Sequence, residues 1–162
     1  MNFNNDGSLL AVGIDNGGVK ILEKGDDNVW TTADTPLTNG YACSVDFNND
    51  GSLLAVGIDG GGVKILEKGS GNVWSTVHGL LANEIVTSVN FNNDGSLLAV
   101  GIYNGGVKIL EKGSGDWSTA ATPLSGYVIS VNFNNDGSLL AVGIDNGGVK
   151  ILEKGGKLHN IL

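Results

Sequence analysis

Twelve residues, Phe-Asn-Asn-Asp-Gly-Ser-Leu-Leu-Ala-Val-Gly-Ile, stand unchanged four times in this chain, beginning at Phe3, Phe47, Phe91 and Phe133. After two intervening residues a second invariant block follows each copy, Gly-Gly-Val-Lys-Ile-Leu-Glu-Lys-Gly, from Gly17, Gly61, Gly105 and Gly147. Successive copies lie 44, 44 and 42 residues apart. Self-similarity at this period belongs to propellers and solenoids, whose units cannot bury an apolar face alone and must stack on a neighbour. The repeats fall near 1–40, 41–84, 85–126 and 127–162, in one segment spanning 1–162.

The third repeat gives the clearest reading of local structure. Val86 to Phe91 alternates with period two, which predicts a strand. Asn92-Asn93-Asp94-Gly95 is a hairpin signal, because Asp-Gly tolerates positive φ. Leu97 to Ile102 is apolar on both of its faces, so this second strand is expected to be sandwiched. Tyr103-Asn104-Gly105-Gly106 turns the chain again. Val107 to Lys112 then alternates, and Trp117 to Ala120 is a short polar strand with one aromatic anchor. Four antiparallel strands per repeat, with burial declining outward, predict an all-β propeller with the first strand at the hub and the fourth at the rim. A parallel β-helix needs a shorter period, and no segment shows helical spacing for three turns.

Composition narrows the setting. Lys+Arg number 9 against 17 Asp+Glu, a net charge of −8, which argues against nucleic acid and anionic lipid as partners. The lone Cys43 excludes an internal disulfide. No apolar run reaches the length of a membrane span, and the N-terminus has no signal-peptide pattern. The chain is therefore expected to be cytoplasmic, with no nucleic acid or membrane partner.

The stretch Ser-Val-Asn-Phe-Asn-Asn-Asp-Gly-Ser-Leu-Leu-Ala-Val-Gly-Ile-Asp-Asn-Gly-Gly-Val-Lys-Ile-Leu, from Ser130 to Leu152, resembles the WD40 repeat, and the likeness covers nearly the whole chain four times over. The near-identity of the copies resembles recently amplified bacterial propellers, or a fragment engineered from one. Several positions depart from the family. Leu22, Leu66, Leu110 and Leu152 replace its tryptophan, and Glu23, Glu67, Glu111 and Glu153 the aspartate that follows. Asn16, Gly60, Asn104 and Asn146 replace its turn aspartate, so the family's buried hydrogen-bond tetrad is absent.

Such blades resemble those that close rings of seven or eight. About four blades in an open arc would leave an apolar face at each end. Two chains meeting head to tail are expected to close an eight-bladed ring, each junction burying on the order of 1,600 Å². The partner expected first is therefore a second copy. The first hub strand is short, and the tail from Lys157 reads either as a makeshift rim strand or as a remnant of cloning.

Candidate chemistry is sparse. Asp46-Phe47-Asn48-Asn49-Asp50-Gly51 resembles the start of a calcium loop, but the carboxylate that would complete the shell is replaced by Leu54 and its neighbours. Gly57 to Gly62 joins strand to strand, with no helix to receive a phosphate. His78 and His159 stand in unrelated contexts, without zinc-ligand spacing. Cys43 occupies a strand position filled elsewhere by Thr87 and Ile129 and reads as a packing residue. Trp30, Trp74 and Trp117 recur with the repeat and read as rim anchors. No cofactor, metal or catalytic residue is expected, and the chain is not expected to be an enzyme.

Where the copies differ is more instructive. Differences gather between strands two and three, at Asp15, Asn16, Asp59, Gly60, Tyr103, Asn104, Asp145 and Asn146. They also fill the runs between blades, which hold Tyr41, His78, Glu84 and Tyr127. In a WD40-like ring both loop classes emerge on one face, opposite the invariant Asn-Asn-Asp-Gly turns. The resemblance implies a non-catalytic scaffold that meets a protein or peptide there, which is a fold-level analogy. A calcium-binding or carbohydrate-binding adhesion-type propeller is the alternative.

Overall fold

In a computed structural model, described for residues 1–155 and 158–161, the chain forms four antiparallel sheets of four strands each. Blade I holds β1 (Asn2–Phe3), β2 (Leu9–Ile14), β3 (Gly18–Lys24) and β4 (Trp30–Leu37). Blade II holds β5 (Ala42–Phe47), β6 (Leu53–Ile58), β7 (Gly62–Lys68) and β8 (Trp74–Leu80). Blade III holds β9 (Val86–Phe91), β10 (Leu97–Ile102), β11 (Gly106–Lys112) and β12 (Trp117–Leu124). Blade IV holds β13 (Val128–Phe133), β14 (Leu139–Ile144), β15 (Gly148–Glu153) and β16 (Leu158–Ile161). Within each sheet the strands follow chain order. The tail thus forms a fourth strand, pairing Leu158 with Leu152 and Ile161 with Val149. Lys157 lies outside the described residues.

The blades stack face on face, and first strands meet first strands: β1 on β5, β5 on β9, β9 on β13. This is a β-propeller-like array with the first strands at the hub. Three apolar cores fill the junctions. Leu9, Ala11, Val19 and Ile21 of blade I meet Phe47, Leu54, Val56 and Leu66 of blade II. Leu53, Ala55, Val63 and Ile65 on the other face of blade II meet Phe91, Leu98, Val100 and Leu110 of blade III. Ala99 and Val107 meet Val131, Leu140, Val142 and Leu152 of blade IV. The invariant Leu-Leu-Ala-Val run therefore serves two junctions at once, odd and even residues facing opposite ways. Each fully buried Leu or Val contributes about 1.5–3 kcal/mol.

Two local features depart from simple alternation. The Asn-Asn-Asp-Gly turn places only its glycine in the left-handed region, Gly51 at φ 70° for example. The rest is closed by side chains. Asn48 Oδ1 accepts from the Leu53 amide at 2.8 Å, and Asp50 Oδ1 accepts from the Ser52 amide at 2.8 Å. Hub strands also carry a bulge near their start, between Ala42 and Ser44, opposite Gly101/Ile102, and between Val128 and Ser130. A bulge re-aims the extra residue. Cys43 is consequently exposed, not packed, and its thiol meets the Tyr41 carbonyl. Thr87 at the same station donates to the carbonyls of Gly101 and Val128.

Candidate functional site

Antiparallel geometry puts the β2–β3-type turns at the same end of each blade as the segments entering the next hub strand. Backbone bonds fasten the two loop classes together. The Asp59 amide donates to the Tyr41 carbonyl, Tyr103 to Ile85, and Asp145 to Tyr127. Gly62 donates to Glu84. Asn16, Gly60 and Asn146 hold left-handed conformations in their turns, while Asn104 follows Tyr103 in a turn without that feature. Asp15, Asn16, Asp59, Gly60, Tyr103, Asn104, Asp145 and Asn146 are all exposed. Tyr41, Tyr103 and Tyr127 are exposed aromatics, and Tyr103 and Tyr127 pack edge to face with ring centroids 5.0 Å apart. Glu84 is half-buried beside Lys108, at 3.6 Å.

His78 does not join this face. It lies in mid-strand on β8, opposite Ile65, and its Nδ1 sits 3.0 Å from Asp116 Oδ1 in the turn between β11 and β12. That turn is at the other end of the blades. The stretch from Thr76 varies between repeats, so variation alone drew His78 into the loop set; the pairing of Ile65 with His78 keeps it in the sheet.

The opposite end holds a feature that variation could not reveal. The residue before each hub phenylalanine reaches across a junction. Asn2 Oδ1 accepts from the Phe47 amide at 3.2 Å, and Asn90 Oδ1 from the Phe133 amide at 2.7 Å. At the middle junction the acceptor is Asp46. Its Oδ2 takes the Phe91 amide at 2.8 Å and the Asn90 side-chain amide at 3.1 Å. Burial pushes the Asp46 carboxyl up to about 6, against the two hydrogen bonds that favour its charged form. Below these residues Asn49, Asn93, Asn132 and Asn135 line an amide-rich depression of about 200 Å³. The signal was available as a polar residue at a fixed place in every repeat. The oxygens that suggested a calcium loop are engaged with amide donors, Asp46 with Phe91, Asn48 with Leu53 and Asp50 with Ser52. The turn carboxyls Asp6, Asp50, Asp94 and Asp136 are held below their ordinary range by the Ser8, Ser52, Ser96 and Ser138 hydroxyls, then by their amides.

Two further surfaces lie at the ends of the array. Phe3, Leu10, Val12, Leu22 and Trp30 occupy on blade I the stations of Phe47, Leu54, Val56, Leu66 and Trp74 on blade II. Phe3 is 55% exposed where Phe47 is 6% exposed. On blade IV, Leu139, Ala141, Val149 and Ile151 occupy the stations of Leu53, Ala55, Val63 and Ile65. Val149 is 42% exposed where Val63 is fully buried. The three cores join I to II, II to III and III to IV, and among the described residues none joins IV to I. Identical sequence is buried inside the array and half-exposed to exposed at its ends.

Among the described residues no helix is long and apolar enough to cross a membrane. Compared with protein-family models and with curated proteins, the chain matches none.

Proposed function

We propose that the chain is a non-catalytic interaction scaffold whose first partner is a second copy of itself. The observation that supports this is the pair of partly exposed apolar end faces, whose equivalents are buried at the interior junctions. Docked head to tail, the free face of blade IV in one chain receives the free face of blade I in the other. The same junction then repeats around a ring of eight blades with two-fold symmetry. Asn132 stands at the station of Asn2, Asp46 and Asn90, and in such a ring its side-chain oxygen would accept the Phe3 amide of the second chain, as theirs accept the amides of Phe47, Phe91 and Phe133. Closing both junctions removes both apolar faces from water, which an open arc leaves exposed.

The ring then presents the loop face twice over, with Tyr41, Tyr103 and Tyr127 as rigid amphipathic contacts for a protein or peptide. Exposed tyrosines supply contact area at low entropy cost, which supports this face over the amide-lined one. Light scattering on a sizing column tests the assembly. A mass of twice 16.6 kDa is expected. A single-chain mass at micromolar concentration overturns the proposal.

A further inference from the structure

A carboxylate stands at the hub where the other repeats place an amide, Asp46 against Asn2, Asn90 and Asn132. Asp46 is only 8% exposed. Both hydrogen bonds to its carboxyl, from the Asn90 side chain and the Phe91 amide, fall on Oδ2. Among the described residues Oδ1 has no partner. Nor is Oδ1 sealed in, since Trp74 Nε1 is the one fully buried side-chain polar atom left unpartnered among those residues. Oδ1 therefore opens onto the depression of about 200 Å³ that Asp46 helps to line.

Much of the remaining lining is amide. Asn49, Asn93 and Asn135 reach it from the hairpin turns of blades II, III and IV, and their side chains make no hydrogen bond among the described residues. Among those residues no lysine, arginine or histidine lines it. A buried carboxylate is normally paired, and one without a counter-charge costs stability. Burial accordingly pushes the Asp46 carboxyl up to about 6. A local cost of this kind, carried by one repeat of four, marks a working site.

We propose that the depression binds a primary ammonium group, borne by a small aliphatic amine, with Asp46 Oδ1 as its counter-charge and the turn amide oxygens as further acceptors. An ammonium brings one positive charge and three N–H donors, which a free carboxylate oxygen among unengaged amides can satisfy. A neutral polyol would leave the charge uncompensated, and a hard dication is poorly held by a single carboxylate. The site is formed by blades II to IV of one chain and lies opposite the loop face. It depends neither on ring closure nor on a protein partner at that face.

The test is ¹H–¹⁵N NMR of the full chain titrated with butylammonium chloride, at about 0.15 M salt to screen the net charge. Saturable shifts of the Phe91 amide and the Asn90 side chain are expected at pH 7.5. At pH 5 the Kd is expected to rise about tenfold, as the Asp46 carboxyl takes up its proton. Asp46→Asn keeps the acceptor for Phe91, and is expected to raise the Kd at pH 7.5 by about tenfold or more and to abolish its pH dependence. Asp26→Asn, which removes the same charge from an exposed turn outside the depression, is expected to leave the Kd unchanged. Absence of saturable shifts, a Kd unmoved by Asp46→Asn, or one raised equally by Asp26→Asn overturns the proposal. Tetramethylammonium and potassium carry the charge without an N–H. Either binding as tightly as butylammonium overturns recognition of the ammonium donors, and weaker binding of both supports it.

Discussion

Asp46 is a natural substitution experiment within one chain. Three of four repeats place an asparagine before the hub phenylalanine, and only the second places a carboxylate there. Among the described residues no cation faces it; its partners are the Phe91 amide and the Asn90 side chain. Its carboxyl sits at about 6 in the folded chain against an ordinary 3.8. A raised carboxyl favours the proton in the folded state, so this group costs stability as pH climbs from about 4 to about 6, and the cost is constant above that. Asp46→Asn keeps an acceptor for Phe91 and removes the charge. Urea denaturation at pH 7.5 is expected to show the variant more stable by about 1–3 kcal/mol. At pH 3, below both values, the difference is expected to all but vanish. The position was legible as a repeat station in the sequence, but its role was not, because the bond it makes is to a residue 45 positions away. The same holds for Asn48 and Asp50: their oxygens looked like ligands until the turn supplied the amides they satisfy.

Strands and their turns were the most legible level. Period-two alternation, the Asp-Gly turns and a doubly apolar second strand are local signals, and four copies of each left little ambiguity. What escaped was register. The bulges at the start of the hub strands depend on the partner strand, so Cys43 read as packed and emerged exposed. The glycine of the second strand in blades I to III is a further product of stacking. A Cβ built on Gly57 would stand 2.5 Å from Val86 Cγ1 of the next hub strand, and one on Gly101 2.7 Å from Val128 Cγ1. The hub strands pass too close for any side chain there. Gly57→Ala is expected to cost about 1–3 kcal/mol in chemical denaturation, as overpacking does. The rim anchor is the reverse case: Trp117→Ala opens a hole in a filled junction and is expected to cost about 3–5 kcal/mol. A Trp117→Ala variant as stable as the parent would contradict the burial of this indole at the junction of blades II and III.

For the whole molecule, the instructive comparison is between chemically identical residues with different neighbours. Val12, Val56, Val100 and Val142 are one repeat position, and no sequence argument separates them. Val56, Val100 and Val142 are fully buried, each facing the blade before it. Val12 faces the blade that would precede blade I, and is half-exposed. The difference makes aspartate a clean probe of the two kinds of junction. Val100→Asp forces a charge into the core between blades II and III, with no partner to compensate it, and is expected to abolish folding. Val12→Asp puts the same charge on a face that one chain leaves open. It is expected to leave the β-sheet circular dichroism of the parent intact while lowering the light-scattering mass to that of one chain. Folding and assembly are thereby separated at one repeat position. If Val12→Asp still ran at twice the chain mass, the face of blade I would not be the docking surface, and the two-chain ring would fall with it. If it unfolded like Val100→Asp, the face would be buried within a single chain, and the four blades would close on themselves.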